Sequence, residues 1–140
     1  MNACVVDASV AVKWFLPEVH WEAAWRLRDS QTALHAPAFF ELEFGNVLCK
    51  KVRRGELSRQ DANLMLDQLG RVTINRHPDA RLVRAALDLA HQLRQNLYDC
   101  LYLALALQLK TQLVTADQRF RQALRNTLLA SHLLWIEDFS

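Results

Sequence analysis

Four short apolar runs, at residues 3–6, 34–36, 113–115 and 133–136, are separated by segments long enough to form helices, and this alternation constrains the fold more than any other feature of the chain. Apolar runs of this length fit strands covered on both faces, and intervening helices supply the crossovers that parallel pairing requires. Residues 80–97 place Leu82, Val83, Ala86, Leu87, Ala90, Leu93 and Leu97 at spacings of three and four, which predicts one continuous helix with a single apolar face. Ser58 and Asp61 open a further helix in the manner of a capping box, although Asp is shorter than the usual Glu. Residues 101–109 are apolar almost all round, as expected of a central helix. The 3 Gly and 3 Pro are too few for the many tight turns of a β-sandwich or barrel. The expectation is an α/β fold: a mainly parallel sheet with helices on both faces, forming a single domain over residues 1–140.

Composition narrows the function. Hydrophobic residues make up 51% and charged residues 23%, which is globular and argues against disorder. No apolar stretch approaches the roughly 20 residues that span a bilayer. The N-terminal Met1-Asn2-Ala3-Cys4-Val5-Val6-Asp7 lacks a basic start and has an acid where a signal peptide would be apolar, so a cytoplasmic location is expected. Cys4, Cys49 and Cys100 are odd in number and widely spaced, matching neither a disulfide framework nor a zinc pattern. The net charge of +2 argues for a nucleic-acid partner only if the basic residues cluster.

In a parallel sheet, ligands gather at the carboxyl ends of the strands. The first strand runs into Asp7, and residues 113–115 run through Ala116 into Asp117, so two acids arrive at one edge. Most of the 15 acids sit in polar surroundings and read as solvated charge, but Asp7, Glu43, Asp99 and Asp117 are each carried to apolar packing. Each of the three aspartates also fits a helix N-cap. Capping does not explain Glu43, nor the convergence of two caps where strands end. Carboxylates held close together take up protons or recruit a cation, and oxygen donors without His or Cys suit Mg²⁺ or Mn²⁺ rather than zinc.

A helical wheel at about 100° per residue separates Glu41 from Glu43. Glu43 shares a polar stripe with Asn46, Lys50, Arg53 and Arg54, while Glu41 falls on almost the opposite side. With Lys51, the stripe carries four basic residues in five positions, a track for flanking phosphates; basic residues are also favourable at any helix C-terminus. Trp14, Phe15, Trp21 and Trp25 form an aromatic stretch that fits either core or a partner surface. The five histidines are scattered and read as structural or surface residues.

These residues together resemble a known family. Val5-Val6-Asp7-Ala8-Ser9-Val10 with Lys13-Trp14, Ala36-Pro37 followed by Glu43 and Asn46-Val47-Leu48, Tyr98-Asp99 with Leu101 to Ala106, and Leu113-Val114-Thr115-Ala116-Asp117 are similar to the motifs of a PIN domain of the VapC toxin type, in the same order and over almost the whole chain. The resemblance implies a three-layer α/β/α fold in which Asp7, Glu43, Asp99 and Asp117 bind Mg²⁺ or Mn²⁺ and hydrolyse RNA phosphodiesters. It makes Ser9, Asn46 and Thr115 supporting residues, and it implies a homodimer and a VapB-like antitoxin that blocks the groove. Lys50, Arg53 and Arg54 are expected to hold phosphates of unpaired RNA. Gly45 departs from the family pattern, costing about 1 kcal/mol against Ala within a helix unless close packing compensates. Alternatives are a PIN nuclease of RNA processing without toxin activity and a catalytically silent PIN fold acting as a binding module.

Overall fold

A computed structural model describes residues 1–140. Five strands form one sheet: β1 (Ala3–Val6), β2 (Ala33–Pro37), β3 (Asn75–His77), β4 (Leu113–Thr115) and β5 (Leu133–Trp135). Their order is β3-β2-β1-β4-β5, and every neighbouring pair is parallel. Seven helices cover the sheet in a three-layer α/β/α arrangement: α1 (Ala8–Ala11), α2 (Trp21–Asp29), α3 (Phe40–Arg53), α4 (Arg59–Leu69), α5 (Val83–Leu93), α6 (Leu97–Gln108) and α7 (Gln118–Leu124). The chain leaves β1 toward β2 on one side and returns to β4 on the other. The topological switch point therefore lies between β1 and β4, where a crevice opens at the strands' carboxyl ends.

Helix α6 shows how the pattern sets the packing. Cys100 through Ala106 are all buried, and the helix lies against β1, β2 and β4 while α5 packs beside it. Such all-round burial is the counterpart of its nearly unbroken apolar sequence. Each fully buried leucine there contributes about 1.5–3 kcal/mol, and Leu103→Ala would forfeit about 2–5 kcal/mol through lost transfer energy and the cavity left behind. These residues belong to one continuous cluster of 35 buried hydrophobic side chains that extends from Cys4 to Phe139.

Three expectations from the sequence need correction. Strand β3 was not expected, because Asn75-Arg76-His77 has no apolar run; it is an edge strand paired only with β2, and an edge strand can be polar. The helix expected over residues 80–97 is interrupted. A 3₁₀ turn covers Asp79–Arg81, α5 stops at Leu93, and Arg94 takes a left-handed conformation with φ 55° and ψ 46°. Its N–H and that of Gln95 both donate to the Ala90 carbonyl, closing the helix end. A non-glycine residue held in this region costs about 1–2 kcal/mol. Asn96 then caps α6, accepting from the Tyr98 N–H at 2.7 Å. A Cβ at Gly45 would meet nothing within 4 Å, so close packing does not compensate for that glycine.

The aromatic stretch, finally, divides between its two readings. Trp14 is buried and donates its indole N–H to the Ala24 carbonyl at 2.9 Å, whereas Trp21 and Trp25 are exposed. Ser58 caps α4 as expected, accepting from the Asp61 N–H at 3.0 Å. No helix is long and apolar enough to cross a membrane.

Candidate active site

Four separate segments bring the four carboxylates to the switch-point edge. Asp7 follows β1 directly and caps α1, accepting from the Val10 N–H at 3.2 Å through Oδ1. The same Oδ1 accepts from the Ser9 hydroxyl at 2.5 Å, and Oδ2 accepts from the Thr115 hydroxyl at 2.5 Å. Thr115 is the last residue of β4, fully buried, so this bond ties the ends of the two central strands together across the crevice. Each hydroxyl also accepts a backbone N–H: Ser9 from Ala116 at 3.1 Å and Thr115 from Asp117 at 3.0 Å. Ser9 and Thr115 thus each orient one oxygen of Asp7.

Glu43 lies in the first turn of α3 and accepts from the Tyr102 hydroxyl at 2.7 Å. Tyr102 is almost fully buried in α6, and burial, reinforced by the nearby charges of Glu43 and Asp7, raises its pKa far above the usual phenol value, so the hydroxyl remains a donor. The motif reading passed over this residue. Its signal was a hydroxyl within an all-apolar helix, one turn after Asp99, where a buried O–H has to find a partner. Glu41, on the other side of α3, is bound by the Arg76 guanidinium, as the wheel requires.

Asp99 sits in the first turn of α6 but is not its cap, a role that falls to Asn96. Asp117 caps α7, with Oδ1 accepting from the N–H groups of Arg119 at 3.0 Å and Phe120 at 3.2 Å. The cap reading therefore holds for Asp7 and Asp117 and fails for Asp99.

The four acids also interact electrostatically. Burial pushes the Asp7 carboxyl up to about 7; the Glu43 charge adds to this, while the Ser9 and Thr115 donors oppose it. Burial likewise raises Glu43, with Asp117 reinforcing the shift and Tyr102 and Lys50 opposing it. Asp99 rises to about 6 through burial and the charges of Asp117 and Glu43, against the pull of Arg119. Burial is the largest cause for all three, and the like charges of neighbouring acids add to it. The cluster is open: no three His, Cys, Asp or Glu side chains in the molecule are grouped tightly enough to hold one ion between them. Its chemistry nonetheless fits a hard divalent cation, being carboxylate oxygen throughout.

The remaining candidates lie farther out. Asn46 is exposed, about one turn beyond Glu43, and makes no hydrogen bond to the carboxylates. Lys50 acts on Glu43 through its charge, and Arg53 and Arg54 are exposed beyond it, with Arg53 lining a groove of ≈ 430 Å³ between α3 and α4. Lys51 leaves the basic stripe. It and Lys13 both bind Glu18, at 2.7 and 3.2 Å, which pins the loop after α1 to α3. Two of the histidines meet across β2 and β3, with His35 Nδ1 and His77 Nε2 2.9 Å apart. A polar depression of ≈ 390 Å³ is lined by Asp99 and Asp117 together with Arg94, Gln95, Asn96 and Arg119.

The chain is 32% identical over 124 residues to Ribonuclease VapC1 of Mycobacterium tuberculosis, spanning 88% of this chain and 92% of that one. It is 34% identical over 119 residues to Ribonuclease VapC3 of the same organism, spanning 85% of each chain. Among solved structures, PAE2754 from Pyrobaculum aerophilum superposes with a TM-score of 0.68 at 22% identity, covering 98% of this chain and 85% of that one. A toxin-antitoxin complex from Klebsiella pneumoniae gives 0.59 at 13% identity, covering 97% and 99%, so both share the fold. The PIN domain model matches residues 4–125, a span that holds all four carboxylates, and the chain belongs to the PIN domain family.

Proposed function

We propose that this protein is an endoribonuclease of the VapC type, the toxin of a type II toxin–antitoxin system, which hydrolyses phosphodiester bonds in unpaired RNA with the aid of Mg²⁺ or Mn²⁺. The observation that carries the reading is the convergence at the β1/β4 crevice of four carboxylates from four chain segments, three of them with raised pKa values. The VapC ribonucleases of M. tuberculosis and the toxin–antitoxin complex of K. pneumoniae support the substrate class and the antitoxin partner.

Asp7, Glu43, Asp99 and Asp117 would supply the carboxylate oxygens for the cation, closing on it from the open arrangement of the metal-free chain. A divalent ion in such a site supplies Lewis-acid stabilisation of a charged phosphoryl group and an activated water at neutral pH. The chain itself supplies positioning. Ser9 and Thr115 each fix one oxygen of Asp7, and Tyr102 fixes one oxygen of Glu43, so neither carboxylate has to reorganise during the reaction. Asp117 spends Oδ1 on its cap and keeps Oδ2 free of those bonds. The Ser9 hydroxyl donates to Asp7, and His20, His35 and His77 are paired with Glu137 and with each other, so these residues form no serine–histidine nucleophile pair. Lys50, Arg53 and Arg54 would hold flanking phosphates, and Asn46 would act beside Glu43 when RNA is bound. A VapB-like antitoxin would cover the groove, and the toxin would act as a homodimer in the cytoplasm.

The test is incubation of purified protein with total cellular RNA, with Mg²⁺, with Mn²⁺ and with EDTA. Metal-dependent fragments are expected, and cleavage that persists in EDTA would contradict the reading. Light scattering on the protein alone would detect the dimer, and co-purification with the product of an adjacent small reading frame would identify the antitoxin.

A further inference from the structure

The pocket beside Asp99 and Asp117 is polar, adjoins the acids directly, and contains none of the basic residues that the stripe on α3 brought forward. Its volume, ≈ 390 Å³, is within the range of small-ligand sites, roughly 300–1,000 Å³. Arg94 and Arg119 line it, and neither is in an ion pair. Arg94 occupies a left-handed position where glycine would be unstrained, so the chain carries this guanidinium at a backbone cost. Two carboxamides with spare hydrogen-bonding capacity also line it. Asn96 uses Oδ1 to cap α6 and keeps both amide hydrogens, while Gln95 is engaged only through a long 3.4 Å bond from Nε2 to the Leu93 carbonyl.

We propose that this pocket binds one nucleotide of the RNA strand next to the scissile phosphate, with Arg94 and Arg119 on the phosphate and Gln95 and Asn96 on the base edge. The proposal rests on the nuclease reading and adds to it the source of sequence preference. Guanidinium groups position a phosphate without regard to sequence, whereas carboxamides discriminate between bases. Unpaired RNA is the form that presents a base edge to such a pocket. An acidic peptide could also engage two arginines, but the carboxamide pair, with donors and acceptors suited to a base edge, favours a nucleotide.

The experiment measures binding of a fluorescein-labelled mixed-sequence RNA hexamer in EDTA, by anisotropy, at several salt concentrations. Arg94→Gly removes the guanidinium and relieves the left-handed strain together, so it folds at least as stably as the parent. Lys110→Gly is the matched control: Lys110 has φ 56° and lies just past the other end of α6, roughly 18 Å away for a 12-residue helix. The expected result is an about 10-fold weaker Kd for Arg94→Gly and for Arg119→Ala, a salt slope smaller by about 0.7 for each, and parent affinity for Lys110→Gly. Equal affinity of Arg94→Gly and parent, equal loss in Lys110→Gly, or tighter binding of a Glu-rich hexapeptide than of the RNA would each overturn the proposal. Fragment ends from Gln95→Ala should show a flattened base preference at one position beside the cut, and an unchanged preference would refute base reading. Failure of the parent to cleave any RNA with metal present would sink the nuclease reading separately, whichever way the binding falls.

Discussion

The inner and outer halves of the carboxylate cluster are built differently. Asp7 and Glu43 are held by side-chain hydroxyls, from Ser9 and Thr115 in one case and Tyr102 in the other, and both Thr115 and Tyr102 belong to the buried core. Asp117 is held only by backbone N–H groups of its own helix, and Asp99 accepts no hydrogen bond. The inner pair is thus fixed by the packing that makes the fold, while the outer pair lines an open polar pocket and has fewer side-chain partners. Preorganisation is unevenly divided between two pairs of the same residue types, and the division predicts different responses to substitution.

The largest contrast is expected at Asp7. Its carboxyl has a value of 3.8 in an unstructured chain and about 7 in the folded protein, so the folded form binds the proton more tightly. Ionisation then opposes folding: stability of the metal-free protein falls as pH rises from about 4 and levels off above about 7. Asp7→Asn removes that cost and keeps the volume, but its amide has one acceptor oxygen where Asp7 uses two, so the lost acceptor offsets part of the gain. In EDTA at pH 7 it should be more stable than the parent, by up to on the order of 4 kcal/mol, and the advantage should vanish at pH 4. RNA cleavage should fall by at least about 100-fold in the same variant. Urea unfolding of both proteins at the two pH values measures the difference, and a parent that remains the more stable at pH 7 would break the contrast.

The inner half was largely legible before any coordinates. Asp7 follows, and Thr115 ends, an apolar run with the pattern of a buried strand, and Glu43 is set by its register after Pro37 and by the wheel that puts Glu41 apart. Tyr102 escaped because, among Leu101, Leu103 and Leu105, an aromatic ring reads as packing and its hydroxyl carries no pattern of its own. The outer half was harder. A helix drawn through residues 80–97 hides the left-handed turn at Arg94, and with it the pocket that Arg94, Gln95 and Asn96 line, because apolar periodicity continues across a break that backbone geometry alone reveals. Strand β3 was invisible for a related reason: its place depends on hydrogen bonds to β2, and an edge strand needs no apolar signature.

Smaller effects should follow the same division. Thr115→Val keeps the volume but removes the donor to Asp7 and the acceptor for the Asp117 N–H. A hydrogen bond to a charged group contributes about 1.5–3 kcal/mol, so a loss of about 2 kcal/mol is expected, with cleavage reduced about 10-fold. Tyr102→Phe removes one oxygen, the one on Glu43, and should lower stability by about 1–1.5 kcal/mol. Its decisive readout is kinetic: kcat should fall while KM for RNA stays near the parent value, since Tyr102 acts through Glu43 and touches no substrate. A rise in KM alone would show that the inner half binds rather than positions.

The smallest effect comes from Asp117, and it separates the two roles that one aspartate can hold. As a cap, its Oδ1 serves two N–H groups of α7, and Asn can do the same; Ala cannot. Asp117→Ala should therefore cost about 1 kcal/mol of stability and Asp117→Asn only a few tenths. As a member of the acidic cluster, however, Asp117 contributes charge, which both substitutions abolish. Removing that charge should lower the Asp99 pKa from about 6, because Asp117 is the principal charge raising it, and carbon-detected NMR of the Asp99 carboxyl would read the shift. If the charge is what matters, the two variants lose cleavage equally despite their unequal stability. If Asn retains parent cleavage and Ala does not, Asp117 is a cap alone, and the cluster reduces to Asp7, Glu43 and Asp99.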